Sequence, residues 1–415
     1  MNARFPLPAD PAPPLLIEGA EVLLPEGRAR VSVRIEAGVI TGLDVAPDGA
    51  RRLAAPGLLL APALVDIHGD AFERQLMPRP GVLLPVEAAL LETDRQLAAN
   101  GIATAYHALT LSWEPGLRSV QMGWDILGTL NRIAARLTVE NRLQLRWETF
   151  CFEALPLIET ALTGPLTPAL AFNDHTSMAL LHPGTPLQDR PFEHSPHYPV
   201  VDLESPGFAA KMAVRAARSQ MEVAEYVALI GRVWQRRPEV PPVLAQVAAL
   251  GRAAGAPMLS HDDTQPETRD FYRALGARIS EFPMNLATAR AARAAGDALV
   301  FGAPNAARGG SHLGSPGAAA MLAEGLCDIL ASDYYYPAML SAVARPAADK
   351  AAPLPRLWDL VSGGPARALG LTDRGTIAPG LRADLVLVDW PEGHAPAVRR
   401  TLVAGRMAYG AEAAG

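Results

Sequence analysis

Residues 58–82 read LLLAPALVDIHGDAFERQLMPRPGV: an apolar run drives straight into His68, Gly69 and Asp70, then gives way to charge and proline. In an extended strand, residues i and i+2 share a face, so His68 and Asp70 project to the same side where the strand ends. Two readings compete. The strand delivers metal ligands, or a histidine happens to lie at a strand end. The rest of the chain decides between them.

Outward from this stretch, roughly from 58 to 366, apolar strand-like pieces alternate with Ala/Leu/Arg-rich helical pieces. The strand candidates are LVDIHGD, IATAYHALTL, RLQLRWETF, PALAFNDH, APMLSHDD, ARISEFPM, ALVFGAPN and CDILASDYYYP. Between them lie helical patterns such as PVEAALLETDRQLAANG, VQMGWDILGTLNRIAARL, PEVPPVLAQVAALGRAAG and PETRDFYRALG. Repeated β–α units with short turns predict a parallel sheet, and this many predict an α/β fold of the TIM type, a (β/α)8 barrel. Both ends differ from the middle. LLIEGAEVLL and RVSVRIEAGVITGLDV near the N-terminus, and GTIAPGLRADLVLVDW and RRTLVAGRMAYG near the C-terminus, are strand–turn–strand patterns. We expect residues 14–57 and 370–412 to build one small composite β-sandwich, with residues 58–366 forming the barrel.

Composition narrows the class. At 415 residues, 49% hydrophobic and 19% charged, the chain is long enough for one large barrel with an appendage. The sequence lacks an 18-residue apolar stretch, and the Pro-rich start MNARFPLPADPAPP lacks an apolar core, so neither a membrane span nor a signal peptide is expected. The formal charge of −6 argues against a nucleic-acid or membrane surface. Two cysteines, Cys151 and Cys327, build no disulfide framework. The expectation is a cytoplasmic protein acting on a small molecule, with homo-oligomerisation left open.

In a barrel of this kind, chemistry sits at the C-terminal ends of the strands. There the sequence places Asp66, His68 and Asp70; Glu148; Asp174 and His175; His261, Asp262 and Asp263; and Asp333. One strand-end histidine is weak evidence. Five strand ends that each stop at His, Asp or Glu match the imidazole–carboxylate mixture that divalent ions take.

These residues resemble the amidohydrolase superfamily. Its pattern is His-x-His or His-x-Asp on strand 1, a carboxylate on strand 4, histidines on strands 5 and 6 and an aspartate on strand 8, with a split β-sandwich around the barrel. LSHDDT, ISEFP, GAPNAARGGSH and DILASDYYYP further resemble one branch, the ribose 1-methylphosphonate 5-triphosphate diphosphatases of phosphonate breakdown. Gly69 stands where that branch usually has Thr, and Ala71 where it has Asn. Cys151 and Phe152 replace a His pair, TSMALL replaces a Pro-Gly-Gln-Arg-like stretch, and GSHLGS replaces GSHSGN.

The resemblance implies one or two divalent ions, zinc first and manganese or iron as alternatives. His68 and Asp70 would hold one ion, His175 and His261 the other, and Glu148 would bridge. The chain's two lysines, Lys211 and Lys350, do not stand where a carboxylated lysine would bridge instead. Asp333 would bind metal and act as general base. The implied substrate is phosphorylated. Arg308, Gly309, Gly310, Ser311 and His312 read as a phosphate grip, with Ser315 and Pro316 opening the next helix and Arg79 serving the same polyanion. The rival activity is hydrolysis of an amide, lactam or amidine. An inactive scaffold on the same fold is disfavoured by the full ligand set.

Overall fold

A computed structural model describes residues 13–310 and 317–411. Eight parallel strands, the eight quoted above, pair in chain order around a barrel: Leu64–Gly69, Ile102–Leu111, Glu140–Glu148, Ala169–Asn173, Met258–His261, Ile279–Glu281, Ala298–Gly302 and Ile329–Ala331. The long second and third strands are buried at every position, as expected when helices cover the outside and side chains fill the inside. The last and first strands meet through a bridge between Gly69 and Asp333. Below it, Asp66 clamps the seam by accepting from the Ser332 backbone N–H at 3.0 Å and its hydroxyl at 2.5 Å.

The connecting helices begin and end where local chemistry dictates. Ser119 caps Val120–Ile133 by accepting from the Met122 N–H at 3.2 Å, and Asn285 caps Leu286–Ala294 through the Thr288 N–H at 2.9 Å. Pro266–Leu275 stops at Gly276, whose φ of +108° suits a residue without Cβ.

The terminal strands form two sheets. One contains Leu15–Glu18, Val33–Glu36, Val39–Leu43 and Arg51–Ala54. The other joins Glu21–Leu24, Gly27–Ala29 and Leu59–Pro62 to the C-terminal Leu385–Asp389, Ala397–Val403 and Arg406–Gly410. Ile17, Val33 and Ile35 of the first pack on Val22, Leu60 and Leu385 of the second, so the two ends of the chain share one sandwich core. Leu59–Pro62 lies beyond the boundary at 57 expected from sequence, yet it pairs with Leu385–Asp389. A continuous apolar run hides this break: Pro62 ends one sheet and Leu64 starts the other.

A buried ionic clamp ties sandwich to barrel. Glu140, at the start of the third barrel strand, accepts from Arg142 at 2.5 Å, from Arg374 at 2.8 Å and from Arg382. Burial would raise the Glu140 carboxyl, but the three guanidiniums hold it down at about 2.

Candidate metal centre

At the C-terminal mouth of the barrel, imidazoles and carboxylates from five strand ends converge. His68, Asp70 and Asp333 offer donor atoms within 4.8 Å of one another; so do His68, His261 and Glu281, and so do His175, His261 and Asp262. His68 links the first set to the second and His261 the second to the third, making one continuous field of donors. The His68 and His261 rings stand 5.5 Å apart, and Phe282 meets both edge-on at 5.2 Å.

Strand geometry aims these groups. His68 lies near the end of the first strand and Asp70 just past it, beyond a register shift against the second strand between Asp66 and Gly69. Asp262 and Phe282 directly follow their strands and Asp333 follows its strand after Ser332, each with φ near +55° (58°, 54° and 55°), a left-handed turn that is costly for a residue with a Cβ. Each turn re-aims the chain across the mouth. Asp333 is further pinned by its N–H donating to the His68 carbonyl and its carbonyl accepting from the Asp70 N–H, both at 2.9 Å.

The donors fit a cation. His261 Nε2 and Glu281 Oε2, 3.9 Å apart, are buried without a hydrogen-bond partner among the described residues. Such orphaned buried atoms are costly in a folded protein unless something outside the chain satisfies them. Electrostatics agree with crowded negative charge. Burial, then the neighbouring Asp70 carboxylate, pushes the Asp333 carboxyl up to about 6. Burial favours neutral His68, but the Glu281 carboxylate 3.1 Å from Nδ1 outweighs it and raises the imidazole. His261 is lowered, chiefly by burial.

The sequence-based site is met unevenly. His68, Asp70, His175, His261 and Asp333 come together. Their strands are numbered differently from the superfamily pattern: Glu148 ends the third strand, His175 follows the fourth and His261 ends the fifth. The sixth strand ends in Glu281, to which the sequence reading gave no role although ISEFP was recognised as a block. The signal was there, since Glu281 obeys the same strand-end rule as the others.

Glu148 is held by Asn173 and His175. Oε1 accepts from Asn173 at 3.0 Å and lies 2.7 Å from His175 Nδ1, while Oε2 accepts from the His175 N–H at 3.1 Å. Both oxygens are occupied by protein donors, and Glu148 belongs to none of the three donor sets among the described residues. It orients His175. Asp66 and Asp263 are structural: the first holds the barrel seam, and the second is gripped by the fully buried Arg269 at 3.2 Å.

The expected phosphate grip is not assembled by the described residues. Arg308 and Gly309 are exposed at the end of the helix Ala303–Arg308, and Arg79 is exposed in a tight turn with Val82. Ser311, His312, Ser315 and Pro316 lie outside the described residues; the next described helix, Ala318–Ala323, is preceded by Gly317. His107 packs away from the mouth, 2.7 Å from Asn141. His194 packs on Phe192 and Phe271 rather than on the metal donors. The segment around it reaches the site through Arg190, which donates to the Asp262 carbonyl at 2.9 Å. Lys211 donates to the Ala179 carbonyl at 2.9 Å, far in role from any bridge. Tyr336 is buried, whereas Tyr334 and Tyr335 are exposed. Both cysteines are buried and unpaired, consistent with packing.

A (β/α)8 barrel with a split sandwich and a mouth of His, Asp and Glu donors defines a class of hydrolase. The chain belongs to the amidohydrolase family: the profile of that family matches residues 237–409, and a relative covers most of the chain. That relative is the alpha-D-ribose 1-methylphosphonate 5-triphosphate diphosphatase of Escherichia coli (strain K12), 33% identical over 347 residues, which are 81% of this chain and 84% of that protein. Solved structures share the fold at low identity. Phenylurea hydrolase B has a TM-score of 0.62 at 14% identity, covering 95% of this chain and 96% of that one. An adenosine deaminase from Xanthomonas campestris with bound zinc has a TM-score of 0.57 at 16% identity, covering 95% and 92%. Among the described residues, no helix is long and apolar enough to cross a membrane.

Proposed function

We propose that this hydrolase cleaves α-D-ribose 1-methylphosphonate 5-triphosphate, or a close phosphorylated analogue, to the 5-phosphate and pyrophosphate. The observation that carries the reading is the 33% identity to the diphosphatase across four-fifths of the chain, with the strand-end donors in place. His68, Asp70 and Asp333 would hold one divalent ion, and His175 and His261, with Asp262 and Glu281 beside them, a second. When bound, such ions acidify water and polarise a phosphorus–oxygen bond. Asp333, whose carboxylate stands within the donor set of His68 and Asp70, is placed to accept the proton of the attacking water. Water adds its oxygen to phosphorus, the bond to the bridging oxygen breaks, and pyrophosphate leaves with that oxygen. Glu148 and Asn173 keep His175 turned toward the mouth. Half-buried Phe282 packs on His68 and His261, and the Arg190 segment docks on the Asp262 carbonyl beside them.

The test is incubation of the metal-reconstituted protein and its His68→Ala variant with the ribose triphosphate, following pyrophosphate by phosphorus NMR. Release by the parent alone supports the reading. A metal-loaded parent that releases nothing overturns it, and hydrolysis in an amide and amidine panel would then establish the C–N alternative.

A further inference from the structure

Beside Asp70, Glu148 and His175 opens a cavity of about 280 Å³ whose remaining wall is rich in arginine. Arg146 is its deepest cation. It lies two residues before Glu148 on the third barrel strand, on the same inward face, and is only 7% exposed. Its Nε has no hydrogen-bond partner among the described residues. Its other nitrogens make loose contacts, Nη1 with Asp70 at 3.8 Å and Nη2 with His175 Nε2 at 3.4 Å. Neither is the two-pronged carboxylate pairing that a buried guanidinium ordinarily keeps. Asp70 and His175 are also the groups assigned to metal, which leaves Arg146 without a dedicated counter-charge.

Opposite Arg146 in the strand pairing stands Thr110, 3% exposed, whose hydroxyl also lacks a hydrogen-bond partner and lines the same cavity. The rim is completed from the excursion between the fourth and fifth strands. There the helix Pro206–Arg218 brings in Arg215 and Arg218, which share one carboxylate: Glu114 lies 3.6 Å from Arg215 and 2.5 Å from Arg218, and it accepts from the Tyr226 hydroxyl as well. Arg118 in the same wall is satisfied by Glu73, with contacts of 2.9 and 2.8 Å. Arg215 and Arg218 thus share the single carboxylate of Glu114, while Arg146 meets only the loosely placed Asp70.

We infer that this cavity is an oxyanion subsite that takes a phosphate or phosphonate group of the substrate, held by Arg146 and the Thr110 hydroxyl and drawn in by Arg215 and Arg218. The inference rests on the reading of a phosphorylated substrate and gives it a location. The subsite lies beside the second and third strands, across the barrel from the Arg308–Gly310 segment that follows the seventh. The cations of the cavity, rather than those of the Gly-rich segment, would then hold the anion next to the metal centre.

The test is calorimetric titration of the metal-loaded protein with inorganic pyrophosphate and, separately, with methylphosphonate. The variants are Arg146→Met, Arg215→Met on the partly exposed rim, and Arg290→Met as a control of equal charge loss on a distant surface pair with Glu324. Affinity for at least one anion should fall about tenfold or more in the first two variants and stay within twofold of the parent in the control. The anion that loses more identifies which end of the substrate enters. If Arg146→Met does not fold, Arg215→Met decides. Equal affinity in all folded variants means that the anion sits on the metal alone and overturns the inference. The proposed activity is tested apart from it: Arg-dependent anion binding without hydrolysis of the ribose triphosphate keeps the subsite and removes the diphosphatase reading. Hydrolysis with KM unchanged in Arg146→Met and Arg215→Met does the reverse.

Discussion

Gly69 shows how one residue sets the geometry of the first candidate metal ligand. A Cβ built there would stand 2.6 Å from Asp66 Oδ2, 2.9 Å from the Ser332 hydroxyl and 3.0 Å from Tyr336. The absence of a side chain lets the first and eighth strands close, with the His68 carbonyl and the Asp70 N–H both bonded across the seam to Asp333. Gly69→Ala should therefore cost about 1–3 kcal/mol from overpacking and loosen metal binding, checked by thermal unfolding and by metal content after dialysis. Glu281 makes the complementary case. Its Oε1 accepts from Gln144 at 2.9 Å and lies 3.1 Å from His68 Nδ1, so it orients the imidazole whether or not it touches an ion itself. Glu281→Gln should weaken metal affinity roughly 10–100-fold while the far-ultraviolet spectrum stays unchanged; competition against a chelator of known affinity measures it. Unchanged affinity would remove Glu281 from the site.

Among elements, the third barrel strand does most. Its upper end gives Arg146 and Glu148 to the mouth, its middle gives Gln144 to Glu281, and its lower end gives Glu140 to the clamp on the sandwich. Glu140→Gln leaves three guanidiniums around an uncharged amide, and breaking a buried ionic cluster in this way should destabilise by roughly 3–5 kcal/mol. The pH dependence has a fixed sign. The folded carboxyl sits at about 2, below its ordinary value of 4.5. Its contribution to stability is thus complete above pH 4.5 and lost as pH falls toward 2. Urea unfolding at pH 7 and pH 3 should show a smaller drop for Glu140→Gln than for the parent. An equal drop would mean that other carboxylates govern acid unfolding.

For the whole molecule, the metal centre joins five strand ends, and the sandwich holds the barrel's first strand through Leu59–Pro62 immediately before it. Binding of ions at the mouth should therefore stabilise the fold globally. An ion at a concentration of 100 times its Kd adds about 2.7 kcal/mol, so chelation should abolish activity and lower the unfolding temperature together, read by scanning calorimetry before and after re-addition of metal. Loss of activity with an unmoved transition would place the ions in a role uncoupled from folding.

Much was written in the sequence. The eight strands and the terminal strand pairs follow from local rules: strand periodicity, Gly and Pro at breaks, and polar residues where apolar runs stop; the same rules place His68, Asp70, His175, His261 and Asp333 among the strand-end candidates, and the resemblance to the superfamily singles them out. Those rules act between neighbours in the chain, so sequence alone carries them. Tertiary structure alone decided the pairings between distant residues. Glu148 met His175, and Glu281, 213 residues beyond His68, met His68. Arg146 and Arg215 met across one cavity because a helix from the long excursion folds back over the third strand's end. A charge takes its role from what surrounds it after burial, and those surroundings are assembled only when the barrel closes.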